Sequence, residues 1–126
     1  MDLFAEIILD HYKNPRNFQI LEKADLEGQD SNPLCGDKLH ITIKVDENET
    51  ISSFGFDGEG CAISVGAMSI LSEEIIGKSL TEVENFENEA LYDLIGVEIS
   101  PGRVKCALLG LSLIKKLIKI YHEQKK

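Results

Sequence analysis

The chain has 126 residues, 22 acidic against 13 basic side chains and a net charge of −9, which fits one domain with a core of ordinary size and leaves no second domain expected. The acid excess leaves no basic stripe for nucleic acid, since the nearest approach, Lys115, Lys116, Lys119, Lys125 and Lys126, lies on one C-terminal segment. No apolar run approaches the roughly 20 residues that span a bilayer, and Asp2 and Glu6 stand where a targeting peptide would be basic, so a cytoplasmic protein without a membrane partner is expected.

Leu3, Phe4, Ile7, Ile8 and Tyr12 recur at helical spacing and predict an amphipathic helix over 2–12, closed by Asn14-Pro15 because proline restricts the residue before it. Residues 16–37 are rich in turn formers (Gly28, Asp30, Ser31, Asn32, Pro33) and read mostly as surface loop, with a short edge strand near 24–29. Leu39, Ile41, Ile43 and Val45 alternate with His40, Thr42 and Lys44, the period of a half-buried strand. After a turn at 46–49, a second strand over 50–57 is expected to pair with it as an antiparallel hairpin, with Ile51, Ser53 and Phe54 or Phe56 near the core.

Beyond Cys61, the positions Ile63, Ala67, Ile70, Leu71 and Ile75 are helix-periodic among small residues (Ser64, Gly66, Ser69) that permit close packing, and Gly77 fits a helix C-terminus. Ser79 with Glu82, and Thr81 with Glu84, have capping-box spacing and predict a short acidic helical segment reaching about residue 94. Pro101-Gly102 then precedes the longest predicted helix, whose stripe Val104, Ala107, Leu108, Leu111, Ile114, Leu117, Ile118 and Tyr121 is apolar. Its lysines suit the negative end of the helix dipole.

Three cysteines remain, and each sits at a junction: Cys35 before a strand, Cys61 between strand and helix, Cys106 in the first turn of the last helix. An odd count without a secretory signal argues against a disulfide framework, so these thiols are read as free, reactive or metal-bound. The plainer alternative is three unrelated buried cysteines, because free cysteine behaves as a small hydrophobe. Gly36 and Gly60 allow positive φ or close backbone approach beside two of the thiols. Unpaired N–H groups of a helix N-terminus, with Arg103 and Lys105, favour a thiolate at Cys106. Asp37, two residues after Cys35, completes a four-ligand set that suits Zn²⁺ or an iron–sulfur cluster with one non-cysteine ligand. A structural zinc site more often uses Cys-x-x-Cys pairs, and this chain has none. The histidines are not read as ligands: His40 belongs to the solvated face of a strand, and His11 and His122 lie on the terminal helices.

Four stretches carry a resemblance: 10–17 (DHYKNPRN), 32–37 (NPLCGD), 58–64 (GEGCAIS) and 103–107 (RVKCA). With these the chain resembles the U-type iron–sulfur cluster assembly scaffolds, the family of IscU, SufU and the NifU N-terminal domain. The resemblance implies an α+β fold, a small three-stranded antiparallel sheet with helices packed on one face and a long C-terminal helix. It also implies a protein that accepts sulfur from a cysteine desulfurase, collects iron, holds a transient [2Fe–2S] cluster and passes it to apo iron–sulfur proteins or carriers. Cys35, Asp37, Cys61 and Cys106 would be the cluster or metal ligands. Two features cross the subfamilies. IscU types carry a histidine before the third cysteine and a Leu-Pro-Pro-Val-Lys segment read by an Hsp70-type chaperone; here the positions hold Lys105 and Ser100-Pro101-Gly102-Arg103-Val104, which leaves such a chaperone a doubtful partner. SufU types share the Gly-Glu-Gly-Cys and Arg-Val-Lys-Cys stretches but usually carry an insertion between the second and third cysteines that this chain lacks.

The leading expectation is a scaffold and carrier without turnover of its own, a monomer or a cluster-bridged dimer. The alternative is a zinc-bound sulfurtransferase partner of a cysteine desulfurase, and a third reading is a structural zinc module. Cys35 is the expected persulfide acceptor because its flanks read as a mobile loop, with Cys106 the rival.

Overall fold

The computed structural model describes residues 3–32, 36–96 and 99–124, the side chains of Leu3 and Phe4 apart. The elements are α1 (Leu3–Lys13), β1 (Leu26–Asn32), β2 (Asp37–Val45), β3 (Ile51–Glu59), α2 (Ala62–Ile75), α3 (Leu80–Glu84), α4 (Asn88–Ile95) and, after a 3₁₀ turn at Pro101–Arg103, α5 (Val104–Gln124). The strands form one antiparallel sheet in the order β1-β2-β3. Helices α2 and α5 pack against it, and α1 packs on α2. This is the α+β architecture that the resemblance implies.

Strand parity decides what the sheet buries. On β2, Leu39, Ile41 and Ile43 point into the core and are at most 2% exposed, and Asp37 shares their parity at the strand's first position. The opposite face is crossed by the segment between α1 and β1. That segment adds to the β3 edge through the Phe56 amide, which donates to Asn17 O, and reaches Thr42, whose Oγ1 accepts from the Leu21 amide at 3.1 Å. Thr42 is therefore buried although it lies on the outward face.

Two expectations about strands need correction. The first strand is longer and later than 24–29, running to Asn32. Its sequence Leu-Glu-Gly-Gln-Asp-Ser-Asn holds one apolar residue, so the strand is built by ladder bonds to β2 and by α5 behind it, where Leu117 fills the space beside Gly28. On β3 Ser53 is not in the core, whereas Ile51, Phe54 and Phe56 all are. The register slips between Lys44 and Val45, so Lys44 faces Ser53 and Val45 faces Ile51. That bulge inverts the parity of everything after it.

Helix α2 is buried nearly all round, which its small residues permit: a Cβ at Gly66 would strike Ile8 of α1. Met68 of α2 occupies the space a Cβ at Gly110 of α5 would need. The acidic segment is two helices, not one. Ser79 and Glu82 make the reciprocal capping box of α3, and Asn85 ends it, its side-chain amide donating to Thr81 O at 3.0 Å. Helix α4 ends on Gly96 in the left-handed region (φ 74°). Among the described residues no helix is long and apolar enough to cross a membrane.

Candidate metal centre

At one end of the sheet, three elements deliver Asp37, Cys61 and Cys106 to a common point, each offering a ligand atom within 4.8 Å of the others. Asp37 comes from the inward parity of β2 and Cys61 is the residue that enters α2. Cys106 lies in the first turn of α5, and its side chain is fully buried. Cys61 is half-buried. Cys35 lies outside the described residues; in sequence it stands between Asn32 and Asp37, the last register pair of β1 and β2.

Asp37 is completely buried, and its two oxygens are treated differently. Oδ1 accepts from the Cys61 amide at 3.0 Å and from the Ser64 hydroxyl at 3.1 Å. Oδ2 has no hydrogen-bond partner among the described residues. A buried carboxylate oxygen without a partner costs roughly 1–3 kcal/mol or more, a cost that a cation would remove. The donor set of two thiols and a carboxylate fits a borderline-soft cation such as Zn²⁺ or iron. Among the described residues no other group of His, Cys, Asp and Glu converges in this way.

Glycines shape the cradle by two mechanisms. Gly36 adopts φ +71° with no described atom close to where a Cβ would stand. Gly60 has no such strain; instead a Cβ there would strike Asp37 Oδ1 and Ser64 Oγ. Of the two basic residues near Cys106, Arg103 reaches the thiols, and its guanidinium is held further toward the charged form, first by the charge of Cys61 and then by hydrogen bonds to Cys106 and Cys61. Lys105 is exposed.

Sequence reading missed two neighbours of the site. The Asn32 amide Nδ2 lies 3.9 Å from Cys106 Sγ as a donor. Ser64, read only as a small packing residue, bonds Asp37, and its Oγ also lies 3.1 Å from Cys61 O and 3.8 Å from Cys61 Sγ. Its spacing of three from Cys61 on a helix was the available signal. The histidines lie elsewhere: His40 pairs with Glu27 at 2.7 Å on the outward sheet face, His11 bonds Ser69 at 2.7 Å between α1 and α2, and His122 faces Glu49 and Glu84.

The profile of the NifU-like N terminal domain matches residues 3–126. An Aquifex aeolicus protein named iron-sulfur cluster assembly scaffold protein IscU is 36% identical over 119 residues, covering 94% of this chain and 75% of its own. A Bacillus subtilis protein named zinc-dependent sulfurtransferase SufU is 31% identical over 131 residues, covering 90% of this chain and 88% of its own. Among solved structures, the N-terminal part of a nitrogen-fixing NifU-like protein from Brucella abortus superposes with a TM-score of 0.79 over 94% of each chain at 17% identity, a likeness of fold.

Proposed function

The chain belongs to the NifU-like N-terminal domain family, and from that premise we propose that it is a scaffold for iron–sulfur cluster assembly. It is a single domain over residues 1–126 that takes sulfur from a cysteine desulfurase, collects iron, holds a transient [2Fe–2S] cluster and passes it to apo-proteins in the cytoplasm. Cys35, Asp37, Cys61 and Cys106 hold the cargo. The observation that carries this reading is the convergence of the buried Asp37 carboxylate with two thiols, its Oδ2 without a hydrogen-bond partner among the described residues. The IscU scaffold of Aquifex aeolicus, alike over 94% of this chain, supports it.

Sulfur enters by a thiolate attacking the outer sulfur of the desulfurase persulfide: a new S–S bond forms, the old one breaks, and the desulfurase thiolate leaves. Cys35 is the proposed acceptor. Cys106 is fully buried and must be uncovered before it can meet a partner's persulfide. Arg103, exposed beside both described thiols, is placed to attract an anionic persulfide.

The second reading, a zinc-bound sulfurtransferase partner, draws on the SufU relative and on the Arg103-Val104-Lys105-Cys106 stretch. Anaerobic purification with metal analysis, followed by reconstitution with iron and sulfide, separates the two. The scaffold reading expects about two iron and two sulfide per site-forming unit, one chain or a dimer, with thiolate-to-iron charge-transfer absorption. Stoichiometric zinc with no uptake of iron replaces it by the sulfurtransferase.

A further inference from the structure

We propose that Ser64 is a positioning residue that makes Asp37 a one-oxygen ligand: it ties Oδ1 to the entry of α2, and Oδ2 alone is presented to the cation. The inference rests on the metal-site reading above and adds a residue that holds none of the cargo itself.

Ser64 is the third residue of α2, 2% exposed, so its hydroxyl faces only protein. It has one proton and two acceptors at equal distance, Asp37 Oδ1 and Cys61 O, both 3.1 Å away. Cys61 O already accepts from the Val65 amide at 3.1 Å, and a carboxylate is the stronger acceptor, so the proton goes to Asp37. Together with the Cys61 amide at 3.0 Å, this gives Oδ1 two donors and opposes rotation about the Cβ–Cγ bond. Gly60 supplies the space in which the three groups meet. Plain helix capping does not account for the arrangement: a capping carboxylate would gain from placing its second oxygen in water or on a further donor, whereas Oδ2 is buried and has no partner among the described residues.

Two effects of opposite sign follow from a donor on the non-ligating oxygen. It draws charge away from Oδ2 and so weakens the donor atom, and it fixes the orientation and so strengthens binding. Loss of such outer partners generally lowers metal affinity by about 10–100-fold, so orientation wins. The retained Cys61 amide sets the expected size at the lower end of that range.

The test measures Co²⁺ affinity by thiolate-to-cobalt absorption under chelator competition, in the full chain, for the unmodified protein, Ser64→Ala, Ser64→Thr, Asp37→Ala and the double variant Ser64→Ala with Asp37→Ala. Ser64→Ala is expected to weaken binding about tenfold and to alter the cobalt ligand-field bands. Ser64→Thr, which keeps the hydroxyl, is expected to restore both. In the Asp37→Ala background the Ser64→Ala change is expected to cost less than about twofold, because the interaction it removes is already gone. An unchanged affinity in Ser64→Ala overturns the proposal. An equal loss in both backgrounds also overturns it, because Ser64 would then act on Cys61 or on the fold. Absence of cobalt binding in the unmodified protein is the separate failure of the metal-site reading, and takes this inference with it.

Discussion

Three glycines at the site end of the molecule differ in the reason they are glycine, and a Gly→Ala series separates the reasons by size. At Gly60 a Cβ would lie 2.5 Å from Ser64 Oγ and closer still to Asp37 Oδ1. Restoring ordinary contact needs a displacement of about 1 Å, which stretches both hydrogen bonds to Oδ1 beyond useful length. Two bonds to a charged acceptor are worth roughly 1.5–3 kcal/mol each, and overpacking alone typically costs about 1–3 kcal/mol. A displaced carboxylate regains part of this from water, so the expected loss for Gly60→Ala is about 3 kcal/mol. At Gly36 no described atom lies within 4 Å of a Cβ but φ is +71°, so among the described residues Gly36→Ala meets backbone strain alone, about 1–2 kcal/mol. At Gly102 neither applies, and Gly102→Ala is expected within about 0.5 kcal/mol of the unmodified protein. Urea unfolding under reductant and chelator measures the series without metal, and thermal unfolding should spread it at roughly 4 °C per kcal/mol. Cobalt affinity should fall for Gly60→Ala and hold for Gly102→Ala. If Gly60→Ala unfolds within 1 kcal/mol of the unmodified protein and binds cobalt equally well, close approach at Gly60 does not fix Asp37.

Two further outcomes are expected. His11 is buried between α1 and α2, its Nδ1 on Ser69 Oγ at 2.7 Å, and burial first, then Arg16, lowers its pKa below the usual 6.5 while Glu73 and Asp10 oppose. The folded state thus holds the neutral ring: this contribution is complete above pH 6.5 and is lost as the pH falls through the lower folded value. The thermal midpoint of the metal-free protein should drop more steeply below pH 6.5 than that of His11→Asn, and parallel curves would remove His11 from the account. After exposure to a cognate desulfurase, mass spectrometry should find persulfide on Cys106→Ser and little on Cys35→Ser; undiminished labelling of Cys35→Ser rejects Cys35 as the acceptor.

How far the fold was legible depended on whether its cause was periodic. Strand β2 and helix α5 bury regular apolar stripes, and the sequence placed both closely. Strand β1 could not be seen in that way, because Glu27, Gly28, Gln29, Asp30 and Ser31 carry no alternation, and the strand exists only once β2 and α5 are there to receive it. The misplacement of Ser53 had a comparable origin: one bulge residue reverses the facing of β3, and nothing local announces it. Asp37 could be chosen as a ligand from its neighbourhood to Cys35, but its burial follows from a parity rule that the alternation of Leu39, Ile41 and Ile43 already contained. Extending that alternation by one step toward the N-terminus places the carboxylate inside.

The same parity explains why the site sits where the core ends. Continued inward, β2 would bury another aliphatic residue against the entries of α2 and α5; it buries a carboxylate instead, and the two helix entries answer with Cys61 and Cys106 rather than apolar side chains. Three elements that must pack together for the fold therefore also bring together three groups that are poorly matched without a cation. On the proposed reading, cation binding would add its free energy to the docking of β2, α2 and α5 on one another, and release of cargo would be opposed by that same docking. Ser64 and Gly60 lie at the point where the coupling is made. In the proposed metal-bound state they would set which oxygen of Asp37 faces the cargo, while the apolar rows of β2 and α5 hold the strand and helices that carry the ligands.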